Sequence, residues 1–178
     1  MAERLIIIFW VFLVFSNPAK SQIDELFFKG FKGAASNISL NGASEIEDNG
    51  ILRLTNDTQR VLGHAFYSRP IQFKNSTDGN ALSFSTAFAF AAIPQHANLG
   101  GHGFAFTISR TKELPGTALP SQYFGLLNAS DVGNSSNHFF AVEFDTVRDY
   151  ELGDINDNHV GIDIDSLVSK KSVTARVF

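Results

Sequence analysis

The sequence predicts an all-β fold, an antiparallel sandwich, on three observations. Apolar residues recur with a period of two along several runs, and none of residues 22–178 carries a convincing helical period. Turn residues punctuate those runs at Asp48-Asn49-Gly50, Ser76-Thr77-Asp78-Gly79-Asn80 and Leu114-Pro115-Gly116. The chain has 18 phenylalanines and no cysteine, so a secreted version must hold together through a large apolar core and not through disulfides.

The elements follow in order. Met1-Ala2-Glu3-Arg4 is a charged start, and Leu5 to Phe15 is an apolar core too short to span a bilayer comfortably. Ala19 and Ser21 are small residues at the spacing a signal peptidase reads, so residues 1–21 are expected to be a signal peptide cleaved before Gln22. No linker, repeat or low-complexity stretch interrupts 22–178, which reads as one domain. Ile51-Leu52-Arg53-Leu54 alternates as a strand. Leu82, Phe84, Thr86, Phe88 and Phe90 alternate with Ser83, Ser85, Ala87 and Ala89, which places phenylalanines in a core and small residues on the other sheet face. Phe104-Ala105-Phe106-Thr107-Ile108 reads the same way.

The strongest chemical signal lies in two later strands. Phe140, Val142 and Phe144 share one face of the first, while Glu143 and Asp145 share the other. A loop of acids and amides follows, and His159 opens a second strand with Val160, Ile162 and Ile164 on the opposite parity. Carboxylates on one strand face, an Asp/Asn-rich loop and a histidine are how a sheet would build a divalent metal site, because acids buried in a sheet need partners. Oxygen ligands suit calcium, and a carboxylate–histidine set suits manganese or zinc.

The net charge of −4 and the lack of any Lys/Arg cluster exclude nucleic acid and anionic membrane as expected partners. Five N-x-S/T sequons, at Asn37, Asn56, Asn75, Asn128 and Asn134, mark glycan acceptors if the chain is secreted. His64 is read as a structural strand residue and His96 as solvated. His138 adjoins a core strand, and Lys170-Lys171 is a short charged turn.

The runs Ala141-Val142-Glu143-Phe144-Asp145-Thr146 and His159-Val160-Gly161-Ile162-Asp163 resemble the legume-lectin (L-type lectin) family. So do Gly103-Phe104-Ala105-Phe106, Tyr123-Phe124-Gly125-Leu126-Leu127-Asn128, Phe27-Phe28-Lys29-Gly30-Phe31 and Gly63-His64-Ala65-Phe66-Tyr67. The wording Gly153-Asp154-Ile155-Asn156-Asp157-Asn158-His159 is closer to the ectodomains of plant lectin receptor kinases than to seed lectins, which carry Trp-Asp-Pro in that loop. The resemblance covers nearly all of 22–178 and implies a legume-lectin jelly-roll sandwich. Family members continue with several strands beyond the metal hairpin, so a chain ending at Phe178 is expected to be a C-terminally shortened domain with exposed edges.

By that resemblance, calcium and a transition metal such as manganese sit side by side. Glu143 and Asp145 match the strand carboxylates, with Asp145 bridging both ions. Val147 offers its backbone carbonyl, Asp149 stands where the family has a calcium-ligating asparagine, and His159 matches the histidine on the transition metal. Asp154 is the expected second bridging carboxylate, with Asp157 the alternative. The sugar-site positions match His102, Gln122, Val147 and Asp149, and all four differ from the family. His102 replaces an aspartate preceded by a cis peptide bond, Gln122 a backbone-donating glycine, Val147 a stacking aromatic and Asp149 an amide. A neutral histidine accepts one hydrogen bond where a carboxylate accepts several, and valine lacks a ring face. Metal binding is therefore expected to outlast ordinary sugar affinity.

The expected function is calcium- and manganese-dependent carbohydrate binding, without enzymatic activity. The ligand is a glycan or another apoplastic molecule. Localisation is extracellular, or at the plasma membrane if a longer product adds a span, since none is expected after signal removal. Homodimerisation through the back sheet is implied where the domain is complete. One alternative is a non-sugar ligand-binding module. Another is a glycoside hydrolase, which needs a pair of carboxyl groups flanking the bond. In the hydrolase motif that Glu143 and Asp145 resemble, a third acid is required where this chain has Val147 or, for a bulged strand, Arg148.

Overall fold

The computed structural model describes residues 25–74, 79–94, 100–113 and 117–176. The signal-peptide expectation, Asn75, His96 and the turn at 114–116 lie outside the described residues. Strands form where alternation meets a hydrogen-bonding neighbour. They are β1 (Ile38–Gly42), β2 (Glu45–Ile46), β3 (Leu52–Arg53), β4 (Gly63–Tyr67), β5 (Gly103–Ser109), β6 (Phe139–Asp145), β7 (His159–Ile164) and β8 (Lys171–Thr174). Only two short 3-10 turns, Ser121–Tyr123 and Ser135–Asn137, break the all-β pattern among the described residues.

Two small antiparallel pairs, β1–β4 and β2–β3, stand beside a four-stranded antiparallel sheet ordered β5-β6-β7-β8. The expected strand at Ile51–Leu54 shortens to Leu52–Arg53, the residue pair that meets β2. Lys171 belongs to β8 and not to the preceding turn.

The segment Leu82–Phe90 departs from expectation. It is not hydrogen-bonded into a ladder; the nearby pairing is a single bridge, Lys74 to Ala81. Its phenylalanines nevertheless lie over the central sheet. Phe88 packs against Phe104, Phe106 and Phe144, Phe90 meets Phe104 edge-on with ring centroids 4.5 Å apart, and Phe84 meets Phe140 edge-on. Alternation correctly gave the direction of these rings, but alternation says nothing about whether a backbone finds a partner.

The core is also on the other side from the one the phenylalanines suggested. Phe84, Phe88 and Phe90 are about half exposed, as is Ile164 on the same face of β7. The buried cluster is Leu126, Leu127, Phe139, Ala141, Leu152 and Leu167. These side chains lie with the odd-numbered residues of β6, the face that carries Glu143 and Asp145. The loop 117–137 covers that face and is tied to β4 by His64, whose Nε2 donates to the Gly125 carbonyl at 3.1 Å. The acids are therefore set beside the apolar core, away from water, which decides their chemistry.

Candidate metal centre and adjoining ligand loop

Register brings the acids and the histidine together. Asp145 pairs with His159, Glu143 with Gly161 and Ala141 with Asp163 across β6 and β7. Glu143, Asp145, His159 and Asp163 are each at most 2% exposed. The loop after β6 then folds back on itself. Val147 N–H donates to Asp145 Oδ1 at 2.7 Å, and Asp149 N–H donates to Asp154 Oδ2 at 2.6 Å. Arg148 Nε donates to the Asp154 carbonyl at 3.1 Å, and its guanidinium stacks on the exposed Tyr150 ring. These bonds bring Asp154, five residues beyond Asp149, into the site.

Two groups of ligand atoms result, each within 4.8 Å of one another: Glu143, Asp154 and His159; and Asp145, Asp149 and Asp154. Asp154 belongs to both. Asp157 is exposed and belongs to neither. Asp145 lies only in the second group, although the resemblance has it bridging. His138 is exposed at the end of a 3-10 turn, apart from both groups.

The donor set fits divalent cations. His159 Nδ1 donates to the Asn156 carbonyl at 2.9 Å, which leaves Nε2 facing Glu143 at 3.3 Å and Asp154 at 3.9 Å. That Nε2 is buried without a hydrogen-bond partner. A buried orphan nitrogen among carboxylates costs stability unless something fills the gap, and a backbone-oriented imidazole is how metal-binding histidines are held. The first group mixes nitrogen and oxygen, as manganese or zinc prefers, and the second offers oxygen alone, as calcium prefers.

Ser169, Asp163 and Gly161 complete the surroundings, and sequence reasoning gave them no role. Ser169 Oγ lies 2.7 Å from Glu143 Oε1 and 2.8 Å from Asp163 Oδ1. The parity of His159, Gly161 and Asp163 on β7 was the available signal for the latter two. Gly161 makes room for these groups: a Cβ there would stand 2.2 Å from Glu143 Oε1 and 2.0 Å from Ser169 Oγ, so those side chains would have to shift. Gly161→Ala should therefore displace the Glu143 carboxylate. We expect at least a tenfold loss of manganese affinity by calorimetry; unchanged affinity would refute the close approach.

Burial raises the carboxyl pKa of Asp145 to about 6 against the opposing Val147 N–H, with Asp154 adding to the rise. Burial also raises Asp154, and burial with the Glu143 charge raises Asp163 well above the usual carboxylate range. A raised folded pKa means that the native state holds protons the unfolded chain has released. The metal-free protein should accordingly lose stability as pH rises from about 4 through the Asp145 value and beyond. Ions bind the deprotonated ligands, so their affinity should rise over the same window. Urea melts of chelated and ion-loaded protein at pH 5 and 7.5 would check both slopes; metal-free protein more stable at the higher pH would contradict the burial argument.

The four expected sugar-site positions sit around this loop. His102 Nδ1 donates to Asp149 Oδ2 at 3.0 Å, and Gln122 Nε2 donates to Glu151 Oε1 at 2.9 Å. Val147 is half-buried in the loop. The Gly101–His102 peptide is trans, with no cis bond among the described residues, unlike the geometry the resemblance implies. His102 and Asp149 thus satisfy each other, a pairing that neither position signals alone.

The family model of the legume lectin domain matches residues 24–177. This chain belongs to the legume lectin family. L-type lectin-domain containing receptor kinase IV.2 of Arabidopsis thaliana is 47% identical over 176 residues, 98% of this chain and 26% of that protein. L-type lectin-domain containing receptor kinase SIT2 of Oryza sativa subsp. japonica is 43% identical over 90% of this chain and 24% of its own length. The chain spans about a quarter of the length of these curated relatives. Among solved structures, a lectin UEA-II complexed with galactose superposes with a TM-score of 0.64 at 27% identity, covering 80% of this chain and 62% of that one. A peanut lectin with a nine-residue peptide gives 0.65 at 27% identity, covering 85% and 64%.

These matches bear out the legume-lectin jelly roll and the likeness to receptor-kinase ectodomains read from the sequence. The lectin family accounts for the Glu143/Asp145 strand without a hydrolase. Where that motif needs another acid, Val147 and Arg148 stand, and Arg148 is engaged with Asp154 and Tyr150. No helix among the described residues is long and apolar enough to cross a membrane.

Proposed function

We propose that this legume lectin domain binds carbohydrate outside the cell, with its ligand loop held in shape by calcium and a transition metal. One observation carries the reading: two ligand groups share the buried Asp154, and His159 Nε2 points into one of them without a partner. Glu143, Asp154 and His159 would hold the transition metal; Asp145, Asp149, Asp154 and the Val147 carbonyl would hold calcium. Bound there, the ions would neutralise the acids and fix the loop that faces the ligand. The galactose complex of UEA-II supports sugar as the ligand class.

The test is a glycan array with the intact chain, in calcium and manganese and again in chelator. Binding that disappears on chelation and returns with the ions is the expected result. An array negative under both conditions, with the protein folded, overturns carbohydrate binding.

A second reading is a non-sugar ligand on the same loop, and the His102–Asp149 contact favours it. That contact occupies groups which the family turns toward sugar hydroxyls. A solved peanut lectin carries a peptide, so a peptide is the first alternative to assay.

Secretion is part of the proposal. Relatives named receptor kinases support an extracellular setting. Asn37, Asn56 and Asn134 are exposed and Asn128 is half-buried. Expression in plant cells should yield a chain beginning at Gln22 that shifts in mass on glycosidase treatment. A full-length, unglycosylated product would refute both processing steps.

A further inference from the structure

We propose that His102 and Asp149 work as one unit that turns the oxygen-ligand group into a three-carboxylate calcium site, with His102 as the residue that positions the third carboxylate. The inference deepens the ion-binding reading above and rests on it.

The resemblance places an aspartate and an asparagine at these two positions, and both have changed together in this chain. Asp149 is held beside the other two acids by a side-chain and a backbone contact. Its Oδ2 accepts from His102 Nδ1 at 3.0 Å, and the group as a whole lies within 4.8 Å of ligand oxygens from Asp145 and Asp154. Its backbone is fixed too, since the Asp149 N–H donates to Asp154 Oδ2. One carboxylate oxygen is thereby anchored, and on this proposal the other would take the cation. An asparagine in that position has a single oxygen, and it brings no charge. Calcium affinity is tuned by the number of charged ligands and by the rigidity of the site, and this pair raises both.

His102 also answers the cost of the added charge. Three carboxylates converge here with little water, as Asp145 and Asp154 are buried and Asp149 is mostly so. An imidazole donating to Asp149 would hold that carboxylate in place beside Asp145 and Asp154. Outer partners of this kind typically govern affinity by about 10–100-fold. An acidic cluster alone would not establish a cation site. The independent observation is His159 Nε2, 1% exposed and unpartnered, which lies 3.3 Å from Glu143 Oε1 and 3.9 Å from Oδ1 of Asp154, the residue both groups share.

The experiment measures calcium affinity of the intact chain by calorimetry with manganese saturating, and terbium luminescence as an optical probe of the same site. Asp149→Asn should weaken calcium binding tenfold or more. His102→Ala should weaken it about tenfold, and His102→Asn should restore most of the loss because its amide nitrogen can donate from nearly the same place. In the Asp149→Asn background, His102→Ala should have no further effect. Manganese affinity should change less than threefold in every variant.

Calcium affinity unaffected by His102→Ala overturns the proposal, as does an equal loss in the parent and the Asp149→Asn background. A general folding role would lower manganese binding in parallel and would also overturn it. A parent chain that binds manganese and not calcium refutes this inference while leaving the transition-metal site standing. A parent that binds neither ion refutes the ion reading as a whole.

Discussion

Stripping divalent cations from this protein should lower its melting temperature by on the order of 10 °C, and adding calcium with manganese should restore it. The expectation follows from the burial of the acids. Glu143, Asp145 and Asp163 are almost inaccessible, and Asp154 is 9% exposed. Without ions, burial away from water and the neighbouring charges raise the carboxyl pKa of Asp145, Asp154 and Asp163. The unpartnered His159 Nε2 adds a desolvation cost of its own. An ion that binds only the folded state, at roughly a thousand times its Kd, contributes about 4 kcal/mol. For a domain of this size each kcal/mol moves Tm by roughly 2–4 °C. Calorimetric scans in chelator, in calcium alone, in manganese alone and in both would separate the two groups. An unchanged Tm, with no bound metal by mass spectrometry, would remove the ions from the account of this fold.

The same burial explains how far the sequence could be read. Strand parity was enough to place Glu143 and Asp145 on one face, and the order of loop and histidine was enough to suggest a metal site. Both statements depend only on local geometry. The position of the core was not legible, because alternation identifies two faces and not which one other segments cover. A loop decided it: the chain 117–137 lays Leu126 and Leu127 against the acid-bearing face. Leu82–Phe90 shows the same limit from the other side. Its rings lie where alternation directs them, yet its backbone lacks the ladder that a strand assignment implies. Ser169 was invisible for a different reason, since its contact with Glu143 spans two strands and a turn. His102 and Asp149 were each recognised as departures from the family, but their pairing joins residues 47 apart and needed the fold.

That pairing sets the terms for restoring an ordinary sugar site. His102→Asp alone should not strengthen sugar binding. It would put a second carboxylate where the imidazole now lies, 3.0 Å from Asp149, and like charges at that distance would drive one of them to protonate or the loop to open. Asp149→Asn alone should give little, because His102 would still occupy the position that the family gives to an acceptor. The two together recreate an aspartate beside an amide, with acceptor and donor capacity facing one ligand. Hydrogen bonds to a charged acceptor contribute about 1.5–3 kcal/mol, so the double variant should bind a monosaccharide roughly 10–100-fold more tightly than its parent. Non-additivity is the decisive sign, since the two side chains are in contact and share the ligand's hydroxyls. Calorimetry against galactose, mannose and glucose would measure it, with calcium raised to offset the weaker ion site that Asp149→Asn creates. A double variant no better than its singles would show that these positions do not form a sugar site. The loop would then be read as an ion-stabilised surface for a ligand of another class.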